Sequence, residues 1–171
     1  CDGMIVDYAE RQEQIEPAHY FAEDIISYAR TVAARYESNK EHTENVEKTA
    51  LAIFDGIKKR AGLDQRDGIL LQMACILHDC GKYVNMLGGT DYSCDIVRAT
   101  EFVGLSEQEK SIIADTIKYN AWHYVPKLSE LKAPLNRKNY IRMLKLAAIL
   151  RLANGMDRSH RQKIRKVTTT F

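Results

Sequence analysis

The sequence is poor in the residues that mark specialised architectures. Of its 171 residues, 9 are glycine and 3 are proline, which excludes collagen-like and low-complexity chains. Its four cysteines, Cys1, Cys75, Cys80 and Cys94, fall in no CxxC or knuckle spacing, so no structural zinc pattern is present. They read as reduced thiols, Cys75 as a small core hydrophobe, and the expected setting is the cytoplasm. Long apolar runs are missing too. The longest, near Leu70–Leu77 and Leu144–Ala153, are short or broken by charge, so no membrane partner is expected. No internal repeat of roughly 20–50 residues occurs. There is also no large excess of one charge, with 25 Lys+Arg against 23 Asp+Glu and 45% apolar residues, which excludes disorder. What remains is one domain, or one with a small appendage, able to bury ~65–70% of its unfolded surface.

The charges are unevenly placed. Residues 1–126 hold 13 Lys+Arg and 21 Asp+Glu, net −8, whereas residues 127–171 hold 12 and 2, net +10. A basic segment this dense suits a polyanion, or it is a solvated face that balances the acidic part within the molecule.

Hydrophobic spacing predicts helices almost throughout. Ala22, Ile25, Ile26, Ala29, Val32, Ala33 and Tyr36 form one face of a helix over 18–37. Ser38 to Glu41 has capping-box spacing and opens a second helix with the stripe Val46, Ala50, Ile53, Phe54 and Ile57. Gly62 stops it. Asp64 caps a third helix running to about Cys80, apolar enough to be central, and Gly81 ends it. A short helix follows over about 92–102. Ser106 to Glu109 is another capping box, opening a helix through Ile113, Ile117 and Asn120. After a connector over 126–134, a long helix runs from Arg137 to Met156, with Ile141, Leu144, Leu146, Ala148, Ile149, Leu150 and Ala153 on its buried side. The fold class is therefore all-α, six to seven helices with short strand-like termini. The β-branched end, Lys166 to Phe171, and the start at Cys1-Asp2-Gly3 suggest segments cut from a longer chain.

Three helix ends carry possible metal ligands. His42 lies on the stripe 42, 46, 50, 53; His78-Asp79 ends the third helix; Asp157 follows the long one. Uncompensated carboxylates are not stable in an apolar pocket. One divalent metal (Mg, Mn, Zn or Fe) would compensate Asp79 and Asp157, with His42 and His78 as further ligands, and could activate water on a phosphoester. Taken singly, an inward histidine reads as a satisfied core residue, and Asp157 as a helix-end charge or a partner for Arg151 or Arg158; the joint set is what points to a metal. His19 and His160 fall outside the stripes and are expected on the surface.

The ordered set His42, His78-Asp79, Asp157 resembles the HD superfamily of metal-dependent phosphohydrolases. The wider texture resembles one branch of it. Asp2-Gly3-Met4-Ile5-Val6, Glu41-His42-Thr43-Glu44-Asn45-Val46, Leu51-Ala52-Ile53-Phe54-Asp55, Ala74-Cys75-Ile76-Leu77-His78-Asp79-Cys80-Gly81 and Leu150-Arg151-Leu152-Ala153-Asn154-Gly155-Met156-Asp157-Arg158-Ser159 look like the C-terminal helical region of the exopolyphosphatase / guanosine pentaphosphate phosphatase family. The resemblance implies an HD-like bundle over 17–160, preceded by a junction (1–16) from an upstream actin-like phosphatase region. Residues 161–171 would begin a truncated strand element. It implies that the upstream region performs Mg-dependent hydrolysis of polyphosphate or a pppGpp-like nucleotide. The helical domain would position that polyanion and help to form a homodimer, without sufficing for hydrolysis alone. Where relatives carry histidines, this chain has Tyr92 (in Asp91-Tyr92-Ser93) and Asn120. Both are expected to line the cavity without holding a second metal. Lys145, Arg151 and Arg158 are the expected polyanion contacts. The alternative is an independent metal-dependent phosphohydrolase acting on a phosphomonoester or nucleotide.

Overall fold

The computed structural model describes residues 22–121, 135–164 and 167–168. Among them stand six α-helices and one 3-10 turn. These are α1 (22–35), α2 (Lys40–Ala61), α3 (Gln65–Leu77), the turn Cys80–Tyr83, α4 (Gly89–Ala99), α5 (Glu107–Lys118) and α6 (Arg137–Met156). The domain is all-α, and no strand forms among the described residues. The expected junction 1–16, His19, the connector 126–134 and residues 165, 166 and 169–171 of the expected terminal element lie outside them.

α3 is the centre. It packs on α2, α5 and α6 and buries Leu70, Leu71, Met73, Ala74, Cys75, Ile76 and Leu77. A helix apolar on all sides is stable only when surrounded. Asp64 caps it reciprocally with Asp67. α1 adds Ile25, Ala29 and Val32 to the core, and the buried Glu47 of α2 joins it to α3, accepting from Arg30 at 2.7 Å and Gln72 at 2.8 Å. The thiols of Cys75, Cys80 and Cys94 are free and buried. Burial pushes that of Cys80 up to about 11.

The cap of α2 is one residue later than the spacing suggests. Ser38 Oγ donates to Cys80 Sγ at 3.4 Å, and Asn39 Oδ1 takes the His42 N–H at 3.1 Å. This register makes His42 the third helical residue. The C-terminus closes through Gly62 at φ +61°, with the Leu63 N–H on Lys58 O at 2.9 Å. A glycine favours that left-handed conformation.

α6 has the predicted ends, but its buried face differs. Met143, Leu146, Ala147, Ile149, Leu150 and Ala153 are buried, whereas Ile141 and Ala148 are exposed. The buried face is anchored by Arg142, whose guanidinium meets the buried Asp67 of α3 at 2.7 Å.

α5 is tied to α3 by Arg66, which grips both oxygens of Glu109 at 2.6 and 3.1 Å. Burial alone would raise the Glu109 pKa, but Arg66 and the Ser106 N–H and hydroxyl outweigh it and hold the carboxyl at about 2. A depressed carboxylate stabilises the fold above its ordinary value of 4.5 and loses that contribution as pH falls toward about 2. Glu109→Gln should therefore flatten the stability profile between those values, measured by urea unfolding across acid pH. An unchanged slope would show that this pair carries no acid sensitivity.

Candidate functional site

The helix geometry brings His42, His78, Asp79 and Asp157 together. His42 points inward from the first turn of α2 and is fully buried. His78 caps the C-terminus of α3 and Asp157 that of α6. All four are buried, Asp157 being 1% exposed.

The hydrogen bonds decide which atoms remain available. His42 Nδ1 lies 2.9 Å from Asp157 Oδ2. The Asp157 carboxyl is held below its usual range: burial opposes this, and the bonds from His42, Gln162 and Asn45 outweigh it. A carboxylate only accepts, so Nδ1 donates and Nε2 keeps the lone pair. His78 Nδ1 likewise donates to Cys75 O at 2.7 Å, and burial lowers the pKa of this imidazole. Both Nε2 atoms are buried without a hydrogen-bond partner. They face Asp79, at 3.9 Å from His42 and 3.4 Å from His78. Burial would raise the Asp79 pKa, but His78 and Lys82 together hold it below the usual value.

The two imidazoles meet opposite oxygens of one carboxylate, His42 at Oδ2 and His78 at Oδ1, and imidazole with carboxylate is a donor chemistry that suits a divalent cation. Asp157 stands behind His42 in this arrangement, orienting the ring as outer carboxylates do for metal-bound histidines. The expected four-residue set thus divides into three facing groups and one orienting group.

His160 was expected on the surface by its spacing, and it is largely exposed. Its ring nevertheless stacks on His42, with centroids 3.7 Å apart and planes 10° from parallel. His42, Asp79 and His160 each offer a ligand atom within 4.8 Å of the others. Lone pairs lie in the ring planes, however, and near-parallel planes do not meet at one point. The stacked His160 ring also covers His42. The turn that returns it has His160 at φ +53° and its N–H on Asp157 O at 2.8 Å. Only its position three residues after Asp157 hints at this role.

Ser93 is a second residue that the sequence did not mark. Its hydroxyl donates to His78 O at 2.8 Å and accepts the Gly81 N–H at 2.7 Å. It is fully buried and fixes the His78–Gly81 segment against α4.

A cleft of about 300 Å³ opens beside the site, lined by His78, Asp79, Lys82, Asn120, Arg151 and Arg158 among others. Asn120 accordingly faces it. Arg151 is held there by its bonds to the carbonyls of Tyr119, Asn120 and Ala121. Arg158 is exposed. Lys145 is elsewhere: its Nζ donates to Ala61 O and so closes the end of α2. Tyr92 is 40% exposed and its ring edge lies over Gly88, outside the cleft lining. No described helix is long and apolar enough to cross a membrane. Compared with protein-family models, residues 27–171 match Ppx/GppA phosphatase, domain III.

Proposed function

The chain belongs to the Ppx/GppA phosphatase domain III family, and we propose that it binds and positions a polyanionic phosphate for such an enzyme without hydrolysing it alone. The substrate class is polyphosphate or a pppGpp-like nucleotide. The observation that carries this reading is the cleft, whose lining includes Lys82, Arg151 and Arg158 with a single carboxylate, Asp79. Three cations around one small volume favour phosphoryl oxygens. In this reading an upstream actin-like region performs the Mg-dependent hydrolysis, and the helical domain contributes to a homodimer in the cytoplasm.

His42, His78 and Asp79 would hold one divalent ion (Mg, Mn, Zn or Fe), with Asp157 fixing the His42 ring. When bound, such an ion supplies positive charge to a phosphoryl oxygen. Asn120 and Tyr92 add no imidazole for a second ion.

A second reading, an independent metal-dependent phosphohydrolase, is favoured by the two unpartnered Nε2 atoms beside Asp79. One experiment separates the two. Phosphate release from polyphosphate and pppGpp is measured for this chain and for the full-length protein side by side. The chain should bind polyphosphate and release none. Metal-dependent release by the chain, abolished in Asp79→Asn, would establish the second reading instead.

A further inference from the structure

Lys82 occupies an unusual place. Its Nζ donates to Asp79 Oδ2 at 2.7 Å, so an ammonium supplies the charge that the buried carboxylate needs. The stem passes over Gly89, where an added Cβ would meet Lys82 Cγ at 2.9 Å. The side chain is nonetheless 41% exposed, against 7% for Asp79. Lys82 also lines the cleft that holds Arg151 and Arg158. The buried, unpartnered Nε2 of His78 belongs to a residue of the same lining. One flexible cation therefore has two possible anionic partners, Asp79 on the inside and a phosphoryl group in the cleft.

We propose that Lys82 couples the two sites: an anion in the cleft draws the ammonium from Asp79 and so opens the carboxylate to a divalent cation. This deepens the polyanion reading and rests on it. The physical reason is competition. A divalent ion beside Asp79 and an ammonium hydrogen-bonded to the same carboxylate repel each other, so each disfavours the other. An anion removes the conflict by giving Lys82 another partner. Coupling between two binding equilibria is reciprocal, so the cation raises anion affinity by the same factor. The phosphate-binding site then gains its metal when substrate arrives.

The test uses Mn²⁺ as the cation and sulfate as a weakly chelating mimic of a phosphoryl dianion. Free Mn²⁺ is followed by electron paramagnetic resonance, in chloride and in sulfate at matched ionic strength. Sulfate binding is measured separately by calorimetry without Mn²⁺. For the unaltered chain, sulfate should tighten Mn²⁺ binding about 10-fold, within the usual range of such couplings. Lys82→Met should bind Mn²⁺ in chloride about as tightly as the unaltered chain does in sulfate, and should gain little more from sulfate. Lys82→Arg retains the charge and should behave like the unaltered chain. If Lys82→Met binds Mn²⁺ no more tightly in chloride, or if no form binds Mn²⁺, the coupling is wrong. Sulfate that binds without changing Mn²⁺ affinity rejects the coupling alone. Sulfate that fails to bind rejects both the coupling and the anion cleft beneath it.

Discussion

Reversing Arg151 and Arg158 to glutamate together should weaken polyphosphate binding by more than about 10-fold at low salt. The expectation follows from the lining of the cleft, where these two residues and Lys82 are the cations. Lys82 is already paired with Asp79, so the two arginines carry most of the attraction at rest. Each phosphate neutralised releases counterions, and for single-stranded polyanions the logarithmic slope is about −0.7 per contact. Three contacts give a loss of about 20-fold between about 50 and 200 mM salt. The double variant, with only Lys82 left, should lose about 3-fold over the same range. Arg158→Glu alone should cost only a few-fold, because an exposed charge is well screened. Lys145→Glu is the control. Its amine serves the end of α2, so polyphosphate affinity should hold while stability falls by about 1 kcal/mol. Affinity that ignores salt, or a slope unchanged in the double variant, would place the polyanion elsewhere. Circular dichroism is needed beside the binding curve, because Arg151 also holds three carbonyls after α5.

Most of the helical frame is legible in local sequence because local rules decide it. Ser106 forms the reciprocal cap that its spacing suggests, Asp64 caps α3 as read, and Gly62 takes the left-handed position after α2. α3 is central because polar residues are scarce on every side of it. Where several faces compete, the pattern fails. α6 carries apolar residues all round, so spacing alone does not select its buried face. The choice falls to Arg142 meeting Asp67, a pair 75 residues apart. The cap of α2 moves from Ser38 to Asn39 because the Ser38 hydroxyl meets Cys80, 42 residues away. The same distinction governs the site. His42, His78 and Asp79 lie at helix ends whose inward faces can be read from periodicity. Asp157 can be read as inward, but its role behind His42 depends on which ring nitrogen it meets. His160 and Ser93 act through a turn and through a backbone approach, and neither has a periodic signature. Lys145 has the right charge in the right segment, yet the packing of α6 against α2 sends its amine to Ala61.

Gly81→Ala should be the most damaging single-methyl change near the site, lowering Tm by about 10 °C. A Cβ at this position would run into Gly89 O and Ser93 N and lie 2.8 Å from Tyr92 C. All three are backbone atoms at the start of α4, so no side-chain rotation relieves the contact. The turn Cys80–Tyr83 and α4 must move apart. That separation breaks the bonds through Ser93 Oγ to Gly81 N and His78 O. Overpacking of this kind costs about 1–3 kcal/mol, and each buried polar group left unpaired adds about 1–3 kcal/mol. A total of about 4 kcal/mol, at about 2–4 °C per kcal/mol for a domain of this size, gives the expected shift. Ser93→Ala separates the two causes. It removes the hydroxyl bonds without the clash and should cost about half as much. Because His78 and Asp79 precede the displaced turn, Gly81→Ala should also weaken Mn²⁺ binding by more than about 10-fold, a larger loss than in Ser93→Ala. The comparison is made by thermal and urea unfolding, with Mn²⁺ titration below the transition. If Gly81→Ala melts within about 2 °C of the unaltered chain, α4 yields easily and the close approach is not what holds the His78-Asp79 segment in place.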